Sequence, residues 1–133
     1  MINEDARKKI IQGTFENSQY IGKVVNVRIN RPLGSRHPDY GFKYPVNYGF
    51  IPNTMTKDGE ELDVYVLSVE EALKNFNGLA IAMIHRLNDN DDKLIVVPDG
   101  QMLTDEQIRD LTMFQEQYFT SVILRAPLVL DIS

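Results

Sequence analysis

Cysteine is absent from this chain of 133 residues, which excludes a disulfide framework, a thiolate nucleophile and any Cys-based zinc site. Histidine is almost as scarce. His37 and His85 stand far apart, and His85 lies in an apolar run where a satisfied structural role is expected. Positive charge is in deficit, with 14 Lys and Arg against 19 Asp and Glu, for a net charge of -5. A general nucleic-acid binder needs a positive face for phosphate backbones, so that class is disfavoured. No apolar run approaches the length of a membrane span, and the opening MINEDARKKI lacks the apolar core of a secretory signal. The expectation is a soluble, cytoplasmic protein with neither a membrane nor a nucleic-acid partner. The P-loop, H-E-x-x-H and G-x-S-x-G signatures are also missing.

The chain has the composition of an ordinary globular protein, 43% hydrophobic and 25% charged. It is long enough to bury one core and is read as a single domain over residues 1–133. Near the start, ARKKII is compatible with a short helix. Val25, Val27 and Ile29 alternate with Asn26, Arg28 and Asn30, which predicts a half-buried strand ending near Pro32. The Pro- and Gly-rich stretch from Arg31 to Pro45 reads as a shaped loop carrying Arg31, Arg36, His37 and Lys43. A short strand follows at Asn47 to Pro52, then a turn at Asp58-Gly59. Next, Leu62, Val64 and Val66 form the apolar face of another strand, with Glu61, Asp63 and Tyr65 on its other face. Val69 to Asn77 is helix-compatible, and Gly78 to Arg86 is a strand candidate. The acidic loop at residues 88–92 and the strand LIVV, stopped by Pro98, complete a hairpin with oxygen ligands at its tip. Thr104 and Gln107 fit a capping box, and Ile108, Leu111, Phe114 and Tyr118 recur at helical spacing, predicting a helix over Asp105 to Phe119. The tail SVILRAPLVLDIS is either an extra strand or an interface. The sum is a mainly β, α+β chain with a small sheet or barrel and one clear helix.

The chemistry concentrates in two acidic clusters, each on a turn beside a strand. The first holds Asp58, Glu60, Glu61 and Asp63; the second holds Asp89, Asp91 and Asp92. The second is not an EF-hand, because Lys93 takes the position that requires glycine. Solubility alone accounts for many acidic turns. Two of them near tyrosines, Lys93 and an Arg-bearing loop fit a site for a hard cation such as Mg2+ or Mn2+. Divalent ions reverse the local field and attract phosphate, and they make bound water more acidic. Residue chemistry therefore reaches metal-assisted hydrolysis of a phosphate compound.

The run YPVNYGFIP from Tyr44 to Pro52, followed by DGEELDV from Asp58 to Val64, resembles the soluble family I inorganic pyrophosphatases. Gly34-Ser35-Arg36, Asp91-Asp92-Lys93-Leu94 and the segment Phe114 to Tyr118 resemble further elements of that family, and the likeness covers roughly Val27 to Tyr118. It is strongest toward short members from low-GC Gram-positive bacteria that carry RPLGSxHP and FQEQYF. The resemblance implies an OB-like five-stranded β-barrel with a C-terminal flanking helix, and a Mg2+-dependent enzyme that splits diphosphate into two phosphates. By position, it implies metal ligands at Asp58, Asp63 and Asp91, with Asp89 or Asn88 at a further one. It implies phosphate contacts from Tyr48, Lys93 and Tyr118, and puts Glu60 where an aspartate accepts a proton from the attacking water.

The departures from the family pattern are as specific. Glu60 is one methylene longer than that aspartate, and Asn30 replaces a carboxylate. Phe119 stands where a lysine follows the helix tyrosine, and HPDYGFK replaces a hairpin that supplies substrate-binding residues. The cationic clamp on the substrate must then come from Arg31, Arg36, His37 or Lys43, of which Arg36 is the leading candidate. The leading expectation is an inorganic diphosphatase or a close relative acting on another phosphoanhydride. The alternative is a barrel of the same kind that has lost turnover and binds a metal–phosphate ligand or a partner protein. A homo-oligomer is expected, with the apolar tail Val122 to Leu130 available for an interface.

Overall fold

Strand β1, Val24–Arg31, alternates exposed and buried residues along its length, as its sequence predicts. The computed structural model describes residues 12–54 and 60–129. Within them, residues 12–18 are helical (α1). Five strands follow β1: β2 (Asn47–Phe50), β3 (Asp63–Val66), β4 (Asn75–Arg86), β5 (Asp92–Val97) and, after helix α2 (Asp105–Glu116), β6 (Ser121–Leu124). The early ARKKII segment lies outside the described residues.

The sheet runs in the order β1-β2-β3-β5-β4, and β4 pairs back onto β1, so five strands close into a barrel while β6 adds to β4 outside it. This is the OB-like barrel that the family resemblance implies. The β3–β5 pair is parallel, setting Asp63 beside Lys93 and Val66 beside Val96. The other described pairings are antiparallel. Strand β4 is long enough to pair with β1 through Asn75–Leu79 and with β5 further on. It therefore begins at Asn75, inside the stretch whose sequence is helix-compatible, and residues 69–74 are not helical. The β1 partnership overrides local propensity there.

The wall of the barrel is apolar on both faces. Val27, Leu62, Val64, Met83, Leu94 and Val96 fill the interior. Tyr65, Leu67, Ile84, Ile95 and Val97 point outward and are covered by α2 through Ile108. The second face of β3 is thus buried under a helix rather than solvated. The near-continuous burial of DVYV, in which only Asp63 is half-exposed, and the full burial of DKLIVV follow from being sandwiched in this way. The predicted capping box starts α2: Gln107 N–H donates to Thr104 Oγ1 at 3.1 Å, and Thr104 N–H donates to Gln107 Oε1 at 2.9 Å. The buried stripe of α2 is Ile108, Thr112 and Glu116, while Leu111 and Tyr118 are exposed. Of the stripe that the sequence periodicity selects, Ile108 is buried and Phe114 packs against the core, whereas Leu111 and Tyr118 face outward and the polar Thr112 and Glu116 turn in. The helix also ends at Glu116, short of the predicted Phe119.

Two features of the sequence acquire structural reasons. Asn47 is fully buried and works as a clasp: its Oδ1 accepts from Leu33 N–H and Leu73 N–H at 3.0 Å each, and its Nδ2 donates to the Glu71 carbonyl at 2.9 Å. Gly49 lies where β2 crosses β1, and a Cβ there would run into the Arg28 carbonyl. His85 bonds Asp92 at 2.7 Å across the β4–β5 ladder, and Asn17 of α1 donates to the other Asp92 oxygen at 2.9 Å. This couple is structural, as expected for His85.

Replacing Gly49 with alanine forces backbone apart and is expected to cost about 3 kcal/mol, read as a lower urea midpoint. The His85 pKa is raised above 6.5, chiefly by its hydrogen bond to Asp92 and against the cost of burial. A raised folded-state pKa contributes stability that is complete below the unfolded value and is lost as pH rises through the folded one. The urea midpoint should therefore fall as pH rises above the unfolded histidine value of about 6.5. His85→Asn should flatten that slope.

Candidate active site

The β3–β5 register delivers the first elements of the site. Asp63 and Lys93 are ladder neighbours, and Tyr48 on β2 stands opposite Tyr65 on β3. Asp63, Tyr65 and Lys93 all project from the outer face of the wall. The Lys93 ammonium is bound by Asp63 Oδ2 at 2.6 Å and Asp91 Oδ2 at 2.8 Å. Lys93 is only 4% exposed. Burial works against its charge, but the Asp63 and Asp91 carboxylates outweigh that cost and hold its pKa above the ordinary lysine value. It is a fixed cation. Tyr48, close by, is pushed up mainly by burial, with Lys93 pulling the other way. Its phenol remains a neutral hydrogen-bond donor.

A second charged group ties the helix to the wall. Arg86, the last residue of β4, donates through Nε to Glu116 Oε1 at 2.9 Å and through Nη2 to Glu116 Oε2 at 2.6 Å. This is the bidentate geometry of a strong ion pair. Tyr65 also donates to Glu116 Oε2, at 2.6 Å, and accepts from Gln115 Nε2 at 2.8 Å. Burial and the Glu116 charge push the Tyr65 pKa well up. For Arg86, burial opposes the charge, yet Glu116 prevails and the net direction is upward. Arg86 Nη1 turns toward the hairpin tip, 3.3 Å from Asp89 Oδ2 and 3.7 Å from Asp91 Oδ2. Its guanidinium also lies 3.7 Å over the Phe119 ring.

These groups border an open cavity of about 910 Å³. Its lining includes Asp63, Lys93, Arg86, Arg31, Tyr48 and Tyr118. Asn30, at the position of a family carboxylate, lines it as well. Of the residues singled out from the sequence, Asp63, Lys93, Tyr48 and Tyr118 therefore meet in one place. Asp89 and Asp91 reach the same cluster through Arg86 and Lys93. Glu60 is exposed on the loop leading into β3. That loop is anchored by Glu61, which accepts Asn53 N–H at 3.1 Å, and by Thr54, which accepts Leu62 N–H at 3.0 Å. Asp58 lies outside the described residues. Arg36 does not line the cavity: its Nη1 donates to the Gly41 carbonyl at 3.0 Å, bracing the turn between residues 36 and 43. Arg31 lines the cavity in its place. Arg86 and Glu116 were not singled out from the sequence. Arg86 ends an apolar run with no clear period, and its partner sits in a helix whose inward stripe is polar.

Among the described residues no group of three or more acidic or histidine side chains gathers around a common point. Asp63 and Asp91 do converge from two elements onto one ammonium, with hard oxygen donors. That donor set fits Mg2+, which commonly takes one or two carboxylates and completes its shell with water and substrate phosphate.

Comparison with known proteins agrees with this arrangement. The sequence profile described as inorganic pyrophosphatase matches residues 14–123. An inorganic pyrophosphatase of Rickettsia bellii is 34% identical over 73 residues, covering 51% of this chain and 42% of that protein. One from Brucella melitensis is 31% identical over 78 residues, covering 55% of this chain and 44% of that protein. The matched segment thus spans less than half the length of these curated relatives. The crystal structure of an inorganic pyrophosphatase from Neisseria gonorrhoeae superposes with a TM-score of 0.57 at 27% identity, covering 73% of this chain and 74% of that one. The inorganic pyrophosphatase of Ehrlichia chaffeensis shares the fold with a TM-score of 0.62 at 20% identity, covering 80% of this chain and 88% of that one.

The Arg86–Glu116 pair should behave as a buried ion pair. Glu116→Leu strips Arg86 of its bidentate partner and Tyr65 of its acceptor, and should lower unfolding stability by about 3 kcal/mol or more. Urea denaturation, with its slope unchanged, provides the check.

Proposed function

The chain belongs to the inorganic pyrophosphatase family, and on that premise we propose that it hydrolyses inorganic diphosphate to two phosphates in a Mg2+-dependent reaction. The observation that carries the reading is the Lys93 ammonium held between Asp63 and Asp91 beside a cavity that Arg31 and Arg86 also line. A bare anion site would not place two carboxylates on its principal lysine, and a bare cation site would not bury a lysine between its ligands. Both together suit a metal–diphosphate substrate.

Mg2+ held by Asp63 and Asp91, with Asp58 and Asp89 as further ligands, would neutralise diphosphate charge and make a nearby water more acidic. The chain's own groups do the rest. Lys93, already ionised, exchanges part of its carboxylate contact for a phosphoryl oxygen. Tyr48 donates its phenolic proton in a hydrogen bond and does not ionise. Arg86 brings a permanent charge that Glu116 orients, and it stacks on the phenylalanine that replaces the family lysine. Arg31 and Tyr118 complete the contacts, and Arg31 takes the part that the sequence assigned to Arg36. Glu60 accepts the proton of the attacking water, its extra methylene extending the reach of the carboxylate from its loop. Fixed donors aimed at developing charge are the main source of rate in such a site.

In the same reading the protein works in the cytoplasm as a homo-oligomer. Support for association comes from exposed apolar residues at Val122 and Val129 beside the outer strand β6. Among the described residues no helix is long and apolar enough to cross a membrane.

Phosphate release from diphosphate should require Mg2+ and should be abolished by a chelator. Asp63→Asn should remove most of it, and Lys93→Met should lower kcat by about 10²–10³-fold. Hydrolysis indifferent to both Mg2+ and Asp63 would end this mechanism.

A further inference from the structure

The cavity is larger and more aromatic than a diphosphate needs. A volume of about 910 Å³ lies near the top of the range, about 300–1,000 Å³, that encloses drug-sized organic ligands. An inorganic diphosphate has no carbon skeleton to fill it. The charged residues, Asp63, Lys93 and Arg86, come from the ends of β3, β5 and β4. A different element, the turn between Arg36 and Lys43, supplies His37, Tyr40 and Phe42 to the same lining.

This turn is built to hold its rings in place. His37 N–H donates to the Phe42 carbonyl at 2.8 Å, and Gly41 N–H donates back to the His37 carbonyl at 3.0 Å. Gly41 adopts a left-handed φ of 73°, which closes the turn. The His37 Nδ1 accepts from the backbone N–H of Asp39 at 3.1 Å and of Tyr40 at 3.2 Å. The imidazole is thereby fixed with Nδ1 as the acceptor. Its ring packs on Tyr40 with centroids 4.8 Å apart and on Phe42 at 5.0 Å. Phe42 in turn packs tilted against Tyr44 and edge-on against Phe114. The outermost ring, Tyr40, is 79% exposed. A large aromatic ring that lines a charged cavity with most of its surface exposed offers a flat face on which another ring can stack.

We propose that this site also takes a phosphoanhydride bearing a planar aromatic ring, with a nucleoside 5′-diphosphate as its simplest form. Its ring stacks on Tyr40, and its phosphates reach Lys93 and Arg86. The inference rests on the diphosphate hydrolysis proposed above and adds a larger substrate to the same site. Water adds to the terminal phosphorus, the bridging P–O bond breaks, and the nucleoside monophosphate leaves with the bridging oxygen. The other product is phosphate, and the water's proton passes to Glu60 and then to solvent. Ring stacking on an aromatic side chain strengthens binding by about tenfold or more, and does so for any base, since every base presents a flat face.

Titration calorimetry of the full chain with Mg2+ tests this, using ADP, methyl diphosphate and inorganic diphosphate as probes. The expected result is ADP binding about tenfold or more tighter than methyl diphosphate. Tyr40→Phe should keep that ratio, and Tyr40→Ala should bring it close to one. Equal affinity of the wild-type chain for ADP and methyl diphosphate would overturn the inference, even if inorganic diphosphate is hydrolysed. A ratio that survives Tyr40→Ala would overturn it as well. A Tyr40-dependent preference for ADP without release of phosphate from any probe would uphold the binding site while defeating the hydrolytic reading.

Discussion

The ladder between β3 and β5 runs parallel and joins Asp63 to Lys93 across a closed barrel. A parallel pair cannot be made by a tight hairpin, so the chain must leave β3, build the whole of β4 and return before it can form. That detour is what gives the site its parts. It brings the tip between β4 and β5, with Asp89 and Asp91, back to the end of β3. It also leaves Arg86 at the last position of β4, facing the same side as Lys93. The apolar half of the ladder, Val64 to Val66 with Leu94 to Val96, is fully buried and fixes the register. A slip of one residue would turn Lys93 into the barrel interior, where no carboxylate awaits it.

Charge is then arranged in depth. Two buried cations, Lys93 and Arg86, share the acidic hairpin tip, and each keeps a carboxylate of its own, Asp63 or Glu116. Such pairs add little net stability over an apolar packing of the same shape, because desolvation consumes the attraction. Their persistence beside a solvent-accessible cavity is better understood as preorganisation. On the proposed mechanism the cations are positioned before any anion arrives, and the carboxylates hold them until a phosphoryl oxygen or a metal competes. The Glu116 bridge also lets α2 report on the wall beneath it. The same carboxylate binds Arg86 and the Tyr65 hydroxyl.

Much of the barrel can be read from the chain, and the reasons are local. The alternation in VVNVRINR and the capping box at Thr104 are short-range patterns, and both are present in the fold. The family likeness supplied the closed barrel, which no single strand implies. What the sequence does not show is decided at long range. Strand β4 starts within a helix-compatible stretch because β1 recruits Asn75–Leu79 as a partner. Arg86 was invisible because both sides of its strand are buried, so no period marks the residue that breaks the pattern. Arg36 looked like a substrate arginine from its motif, yet the replaced hairpin folds into a short turn that uses it as a brace. In that turn Tyr40 reads as an ordinary loop residue, and only the bonds of His37 reveal how firmly it is presented.

On the proposed mechanism the carboxylates gripping Lys93 are a cation seat, and the ammonium belongs to the phosphate. A crystal structure of the protein with Mg2+ and imidodiphosphate, a diphosphate analogue that resists hydrolysis, tests it most directly. Asp63 and Asp91 should lie on the metal, with the Lys93 and Arg86 cations on phosphoryl oxygens of the analogue. Lys93 still clasped by both carboxylates, with the analogue bound elsewhere, would contradict it.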